Sequence, residues 1–108
     1  MKPFWAIAGF MGVLACQVQA GDLSSADLDA GRSLFNTTAA PACAICHTLK
    51  DAGAGGTIGP SLDALKPDAA KVQTVLKTGL GVMPAYDMLT PAQIETLSTY
   101  VSHVAGEP

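Results

Sequence analysis

The stretch CAICH at residues 43–47 decides how this sequence folds. In a helical turn, side chains three and four positions apart lie on one face. Cys43 and Cys46 can therefore both reach neighbouring vinyl groups on one edge of a porphyrin, and the His47 ring can turn beneath its centre to bind iron. The C-x-x-C-H spacing is the sequence signature of c-type haem attachment. We predict one haem c, attached covalently through Cys43 and Cys46, with His47 as a metal ligand.

Other uses of these side chains fit the sequence less well but stay open. A thioredoxin-like redox pair belongs to a βαβ context, and we find no convincing strand alternation. A structural zinc site needs four ligands, typically in two pairs. Cys43, Cys46, His47 and His103 make the count, but there is no second pair. A simple disulfide is a further alternative in an oxidising compartment.

A second iron ligand is predicted in a loop nearer the C-terminus, where Pro84 follows Met83. Proline biases the residue before it towards an extended backbone, so the loop can carry the Met83 thioether over the haem face opposite His47. A soft thioether favours Fe(II), and a His/Met pair therefore raises the reduction potential. Met88 and His103 are the alternative ligands, although His103 also suits an exposed position near a helix C-terminus.

The first residues show the three-part pattern of a secretory signal. A Met1-Lys2 start precedes an uncharged run over residues 4–16, and Ala20 is a small residue at the predicted cleavage point. The run is too short to cross a bilayer comfortably as a helix. We predict a signal peptide over residues 1–20, a mature domain over residues 21–108 and a periplasmic location, because c-type haem is attached outside the bacterial cytoplasm.

A rival processing site lies within the same segment. Residues 13–16 resemble a bacterial lipobox, in which Cys16 would be lipidated and become the first residue, although Leu14 fits the motif only loosely. Both routes export the protein. Only lipidation at Cys16 would place it on a membrane.

The mature segment reads as about four short helices. They are predicted over residues 27–36, from Pro41 onwards, from Pro67 to Gly79 and from Thr90 onwards, with loops over residues 50–60 and 80–89. Aromatic residues make up only 6% of the chain, so the protein core is thin for a domain of this size. A large bound apolar group would offset this at about 25 cal/mol per Å² of covered apolar surface.

The charge and the motifs of the chain argue against several classes of function. The formal net charge is −3 and charged residues make up 14% of the chain, whereas a nucleic-acid binder would normally show a basic face. The glycine-rich residues 53–59 follow no strand and lack the Lys-Ser/Thr ending of a phosphate-binding loop. The carboxylates are scattered, so no catalytic residue stands out. We expect neither nucleic acid nor a small-molecule substrate as a partner.

In this order, the haem motif, Gly59-Pro60 and Met83-Pro84 before a final amphipathic helix resemble a class I monohaem cytochrome c. The resemblance covers roughly residues 28–104. It implies an all-α, small cytochrome c fold, with about four short helices around one covalently attached haem. It also implies that the Pro60 carbonyl accepts a hydrogen bond from His47, which would fix the imidazole orientation.

The same resemblance implies that Gly31 and Phe35 on the first helix pack against Tyr100 on the last. It further implies a periplasmic electron-transfer protein, not an enzyme, that shuttles single electrons between a dehydrogenase and a downstream acceptor. Residues 47–65 are similar to small cytochromes that accept electrons from sulfite dehydrogenases. The expected donor is therefore such a dehydrogenase, and the expected acceptor is a terminal oxidase or another cytochrome.

Docking should differ from that of mitochondrial cytochromes c, because their lysine-rich face is missing here. The residues near the expected haem edge are small and apolar: Ala42, Ala44, Ile45, Val82 and Ala85. Such a surface would suit a transient contact of under ~1,200 Å². Two other interpretations stay open: a haem enzyme or gas-sensing domain in which Met83 is labile, and a cytochrome subunit of a dehydrogenase complex.

Overall fold

A computed structural model of the chain describes residues 23–108. Within them lie five α-helices: α1 (Ser25–Ser33), α2 (Cys43–Cys46), α3 (Leu62–Leu65), α4 (Ala69–Thr78) and α5 (Pro91–Val104). A π-helical turn over Leu34–Thr38 continues α1, and a 3₁₀ turn over Lys50–Ala52 joins two short antiparallel strands, β1 (Thr48–Leu49) and β2 (Ala54–Gly55). The predicted signal peptide over residues 1–20, with Cys16, lies outside the described residues.

The helix boundaries follow from capping side chains. At the start of α5, the Thr90 hydroxyl accepts the Gln93 N–H at 3.1 Å, and the Gln93 side chain accepts the Thr90 N–H at 2.9 Å. This confirms the predicted start of the last helix, with Pro91 at its first position. Helix α4 begins one residue after Asp68, which caps it. It ends at Gly79, where a φ of 75° favours glycine.

Three details differ from the prediction. Pro41 does not open a helix, because α2 begins at Cys43. Helix α3 was not predicted: it is four residues long and is capped by Ser61, too short to show a helical period. The hairpin of β1 and β2 was also missed, since a strand of two residues has no alternation to detect.

Helices α1 and α5 cross closely at Gly31. A Cβ atom at this position would collide with the Tyr100 side chain, so only glycine allows this approach. Tyr100 and Phe35 are both fully buried in the core beside the crossing. The predicted contact between Gly31 and Tyr100 is therefore confirmed, and Phe35 lies in the same buried core.

A polar cluster fastens this crossing to the turn between the strands. The Tyr100 hydroxyl donates to Asp51 Oδ2 at 2.6 Å, and Arg32 Nη2 donates to the same oxygen at 2.9 Å. The hydrogen bond from Tyr100, assisted by Arg32, lowers the pKa of Asp51. Burial and the Asp51 carboxylate raise the pKa of Tyr100. The helix pair and the hairpin thus share one charged anchor.

The helices of residues 23–108 are all too short or too polar to cross a bilayer.

Candidate cofactor site

A cavity of about 370 Å³ opens inside the helical core. This volume lies within the range of small-molecule and cofactor pockets, about 300–1,000 Å³. Core side chains from three segments line it, among them Phe35, Leu76, Leu97 and Val101. All five residues predicted for the site also line it: Cys43, Cys46, His47, Pro60 and Met83. The fold therefore brings together two regions that are far apart in the sequence.

Helix α2 presents the two cysteines on a single turn. It starts after Ala42 and is closed by the His47 N–H, which donates to the Cys43 carbonyl at 2.9 Å. Cys43 is buried, Cys46 is half-buried, and both are free thiols rather than a disulfide. Burial raises the pKa of the Cys43 thiol to about 11, so this thiol is protonated at neutral pH.

A zinc site receives no support from the structure. Across residues 23–108, no three His, Cys, Asp or Glu side chains form a group able to hold a metal ion. His103 lies in the last turn of α5 and does not line the cavity. His103 therefore belongs to no four-ligand site. It also lies outside the cavity, where a ligand to the iron would have to be.

His47 is oriented by one hydrogen bond. Its Nδ1 donates to the Pro60 carbonyl at 2.8 Å, and because a carbonyl only accepts, Nδ1 carries the proton. Nε2 is then the nitrogen left with a lone pair for a metal. Pro60 therefore makes the contact that the cytochrome resemblance implies.

Gly59 makes this arrangement sterically feasible. Its N–H donates to the Cys46 carbonyl at 2.7 Å. A Cβ atom at Gly59 would lie 2.7 Å from Cε1 of His47, closer than real Cβ contacts allow. The His47 imidazole therefore packs against the backbone of Gly59 while its Nδ1 bonds to the Pro60 carbonyl.

Met83 lies in a tight turn that follows α4. The Leu80 N–H donates to the Met83 carbonyl at 2.9 Å, and the Met83 N–H donates to the Leu80 carbonyl at 3.0 Å. Gly81, at the corner, has a φ of 60°. Met88 is 53% exposed and does not line the cavity. Of the two methionines considered, only Met83 is placed to face a bound group.

Tyr86 and Lys71 also line the cavity, and neither was predicted from the sequence. The buried Tyr86 hydroxyl donates to the Pro41 carbonyl at 2.8 Å, and burial raises its pKa to about 12. The position of Tyr86, three residues after Met83 in the same loop, was the available signal. For Lys71 the signal was weaker: it directly precedes Val72, which begins the apolar stripe of α4.

The mouth of the cavity is surrounded by exposed apolar side chains. Ile58, Leu65, Leu80 and Val82 line the cavity and are still more than half exposed, with Val82 at 94%. Ile45, next to Cys46, is exposed as well. We call these five residues the apolar rim. Of the residues predicted for docking, Ile45 and Val82 belong to it, whereas Ala42, Ala44 and Ala85 are half-buried.

Comparisons with known proteins agree on one family. The family model described as cytochrome c oxidase, cbb3-type, subunit III, matches residues 26–101. A crystal structure of the c-type cytochrome SorU from Sinorhizobium meliloti is similar at a TM-score of 0.73 and 49% sequence identity. The similarity covers 77% of this chain and 95% of that one. A search of curated proteins gave no significant match.

Proposed function

We propose that this chain, which belongs to the c-type cytochrome family, is an exported protein that carries single electrons. Its fold is the small all-α cytochrome c fold, and its cofactor is a covalently bound haem c. One observation supports the proposal most strongly: two thiols, an imidazole and a thioether from separate segments line the same apolar cavity.

The residues that would hold the haem follow from this geometry. Cys43 and Cys46 would carry the two thioether bonds from one turn of α2. His47 would bind the iron through Nε2, because Nδ1 is occupied by Pro60. The hydrogen bond to Pro60 fixes the imidazole plane and strengthens the nitrogen as a donor. The Met83 sulfur would be the second iron ligand.

A haem bound in this way supplies a one-electron Fe(III)/Fe(II) couple. Met83 would stabilise the reduced iron, because a thioether is a soft ligand. The apolar lining would keep water away from the metal, and the fixed His47 ring would limit rearrangement when the charge changes. These residues tune and protect a redox centre, and none of them needs to transform a substrate.

The side chains that line the cavity favour a carrier over an enzyme. With His47 and Met83 both bound, the iron has no open position. Apart from the cysteines and Tyr86, the ionisable lining side chains are His47 and Lys71, and His47 is already held by Pro60. The alternative is a haem enzyme or gas-sensing domain, which requires Met83 to leave the iron.

The ferrous protein with carbon monoxide separates these two functions. A carrier with Met83 bound should react slowly and incompletely, and its ferric form should show the charge-transfer band of methionine-ligated haem. Rapid and complete binding of carbon monoxide would overturn the carrier and favour the open-iron alternative.

The redox partners that we propose are a sulfite dehydrogenase as donor and a terminal oxidase or another cytochrome as acceptor. Support for the donor comes from the likeness of residues 47–65 to small cytochromes of sulfite oxidation. The apolar rim offers a small, uncharged surface at the cavity mouth. Such surfaces suit brief electron-transfer encounters, which bury under ~1,200 Å². Stopped-flow oxidation of the reduced dehydrogenase by this protein tests the assignment, and a dehydrogenase that stays reduced would contradict it.

A cytochrome subunit of a larger complex is the second candidate, since the matching family model is named after an oxidase subunit. Size-exclusion chromatography of the natively expressed protein distinguishes the two. A free carrier elutes as a small protein, and a subunit elutes with its complex.

The periplasmic location is part of the same proposal. Intact mass of the exported protein tests it together with haem attachment. We expect one haem and an N-terminus at Gly21. A lipidated Cys16 would instead indicate a membrane-anchored carrier, and a colourless product would contradict the haem.

A further inference from the structure

Lys71 has an unusual position on the cavity wall. It lies in the first turn of α4 and is the one Asp, Glu, Lys or Arg residue among the side chains that line the cavity. The neighbouring lining residues on this helix, Val72 and Val75, are apolar. Because Lys71 is also exposed, its charge lies at the edge of the cavity, where the charged groups of a bound ligand would meet solvent.

The Lys71 ammonium group has no ionic partner in the described part of the chain. The ion pairs found in residues 23–108 join Arg32 to Asp29 and to Asp51. Asp68 is close in sequence, but its carboxylate accepts the backbone N–H of Lys71 at 2.7 Å as the cap of α4. The charge of Lys71 is therefore available to a ligand.

The other polar side chains that line the cavity already have hydrogen-bond partners or a predicted role in haem attachment. His47 Nδ1 donates to Pro60, and the Tyr86 hydroxyl donates to Pro41. The two thiols are the predicted attachment points. Haem, in contrast, brings two carboxylates on one edge of the ring, and a carboxylate near an apolar wall is costly without a donor or a cation.

We infer that Lys71 is the cationic partner of the haem carboxylates on the side of the cavity that α4 forms. The inference rests on the haem of the proposed function but not on its redox partners. A positive charge held near the haem favours the state with one more electron. Lys71 therefore raises the affinity of the haem for an electron.

Three variants of the haem-loaded protein test this role. Lys71→Gln removes the charge, Lys71→Arg keeps it, and Lys77→Gln is the matched control. Lys77 is an exposed lysine in the last turn of the same helix and does not line the cavity. The measurement is the reduction potential from spectroelectrochemical titration, at low and at high salt.

We expect Lys71→Gln to lower the electron affinity about threefold, or ~30 mV at 59 mV per tenfold for one electron. Lys71→Arg should stay close to the parent protein, and Lys77→Gln should change the affinity by less than about 1.5-fold. The Lys71→Gln effect should exceed the Lys77→Gln effect at both salt concentrations, because both lysines are exposed but only Lys71 lines the cavity that would hold the haem.

Equal potentials for Lys71→Gln and Lys77→Gln would overturn the inference, as would an effect in Lys71→Gln that Lys71→Arg also shows. These outcomes are read on protein that contains haem with the methionine charge-transfer band. They are therefore distinct from a failure of the proposed function, which would appear as missing haem or an open iron.

Discussion

The two sides of the cavity are held in different ways. The side that carries His47 is tied to several other elements, whereas the loop that carries Met83 depends mainly on its own turn. Thr48 donates to the Gly56 carbonyl at 2.9 Å, Asn36 donates to the Ala52 carbonyl at 2.9 Å, and Asp51 bonds to α1 and α5. The His47 side therefore has hydrogen bonds within its own segment and further hydrogen bonds to the helix crossing.

The Met83 side has fewer external ties. The turn bonds of Leu80 and Met83 to each other are local, and the contacts outside the loop come from Tyr86. Its N–H donates to the Leu76 carbonyl at 2.8 Å and its hydroxyl donates to Pro41. His47 should therefore be the more firmly held of the two proposed ligands and Met83 the less firmly held one, since fewer interactions outside its own loop keep Met83 in place.

Replacing both cysteines, Cys43→Ala with Cys46→Ala, should have the largest effect, because it removes the group that fills the space between the two sides. An unfilled cavity costs about 24 cal/mol per Å³, so the cavity of about 370 Å³ corresponds to at most roughly 9 kcal/mol. This is comparable to the whole stability of a typical domain, about 5–15 kcal/mol.

We expect the double variant to lack covalent haem and to lose cooperative thermal unfolding, measured by circular dichroism. A haem-free variant that unfolds cooperatively near the parent temperature would show that the protein core is complete without the cofactor.

Met83→Ala tests the Met83 side directly. Loss of the thioether should lower the reduction potential by roughly 0.1–0.3 V, within the ~0.8 V that axial ligands span. Carbon monoxide should then bind rapidly, while the helical content stays unchanged. Met88→Ala is the control, since Met88 is exposed and away from the cavity. An unchanged potential in Met83→Ala would refute Met83 as the ligand.

Gly59→Ala tests the His47 side. The new methyl group would meet the His47 ring and must displace it from the Pro60 carbonyl. Overpacking of this kind typically costs about 1–3 kcal/mol. We expect a loss of that size in chemical denaturation of the haem protein, together with a changed potential.

Gly55→Ala is the matched control for Gly59→Ala. It lies in β2 with no atom near its would-be Cβ and no positive φ. Its effect should stay within about 0.5 kcal/mol. Equal losses in the two variants would mean that the contact with His47 has no special role.

Local patterns in the sequence account for much of the site. The C-x-x-C-H turn, Gly59-Pro60 and Met83-Pro84 are short motifs whose chemistry can be read without a structure. The structure brings their side chains to one cavity, and their roles stay part of the proposal. The capping box of α5 and the glycine at the helix crossing are local signals too.

Other features depend on residues far apart in the chain. Tyr86 bonds to a carbonyl 45 residues away, and Tyr100 bonds to a carboxylate 49 residues away. No periodicity or spacing predicts such a pair, because both partners are ordinary residues until the fold brings them together. The hairpin and α3 are missed for the opposite reason, since each element spans only about one period of its own pattern and cannot show a repeat.

Tyr100→Phe, with the smallest expected effect, asks whether the charged anchor really makes the His47 side the firmer one. The variant keeps the ring that packs on Gly31 and removes only the hydroxyl that donates to Asp51. Hydrogen bonds to charged groups contribute about 1.5–3 kcal/mol, and Asp51 is partly exposed, so we expect a loss near the lower end, about 1–1.5 kcal/mol.

The pH dependence identifies the carboxylate as the cause. The pKa of Asp51 is lowered in the folded protein, so its contribution is present above the ordinary aspartate pKa of 3.8 and is lost as the pH falls through the lower, folded value. Denaturation of both proteins at pH 7 and at successively lower pH should show the gap between them closing below pH 3.8. A gap that stays constant with pH would assign the loss to packing, and the anchor would no longer explain why the two sides differ.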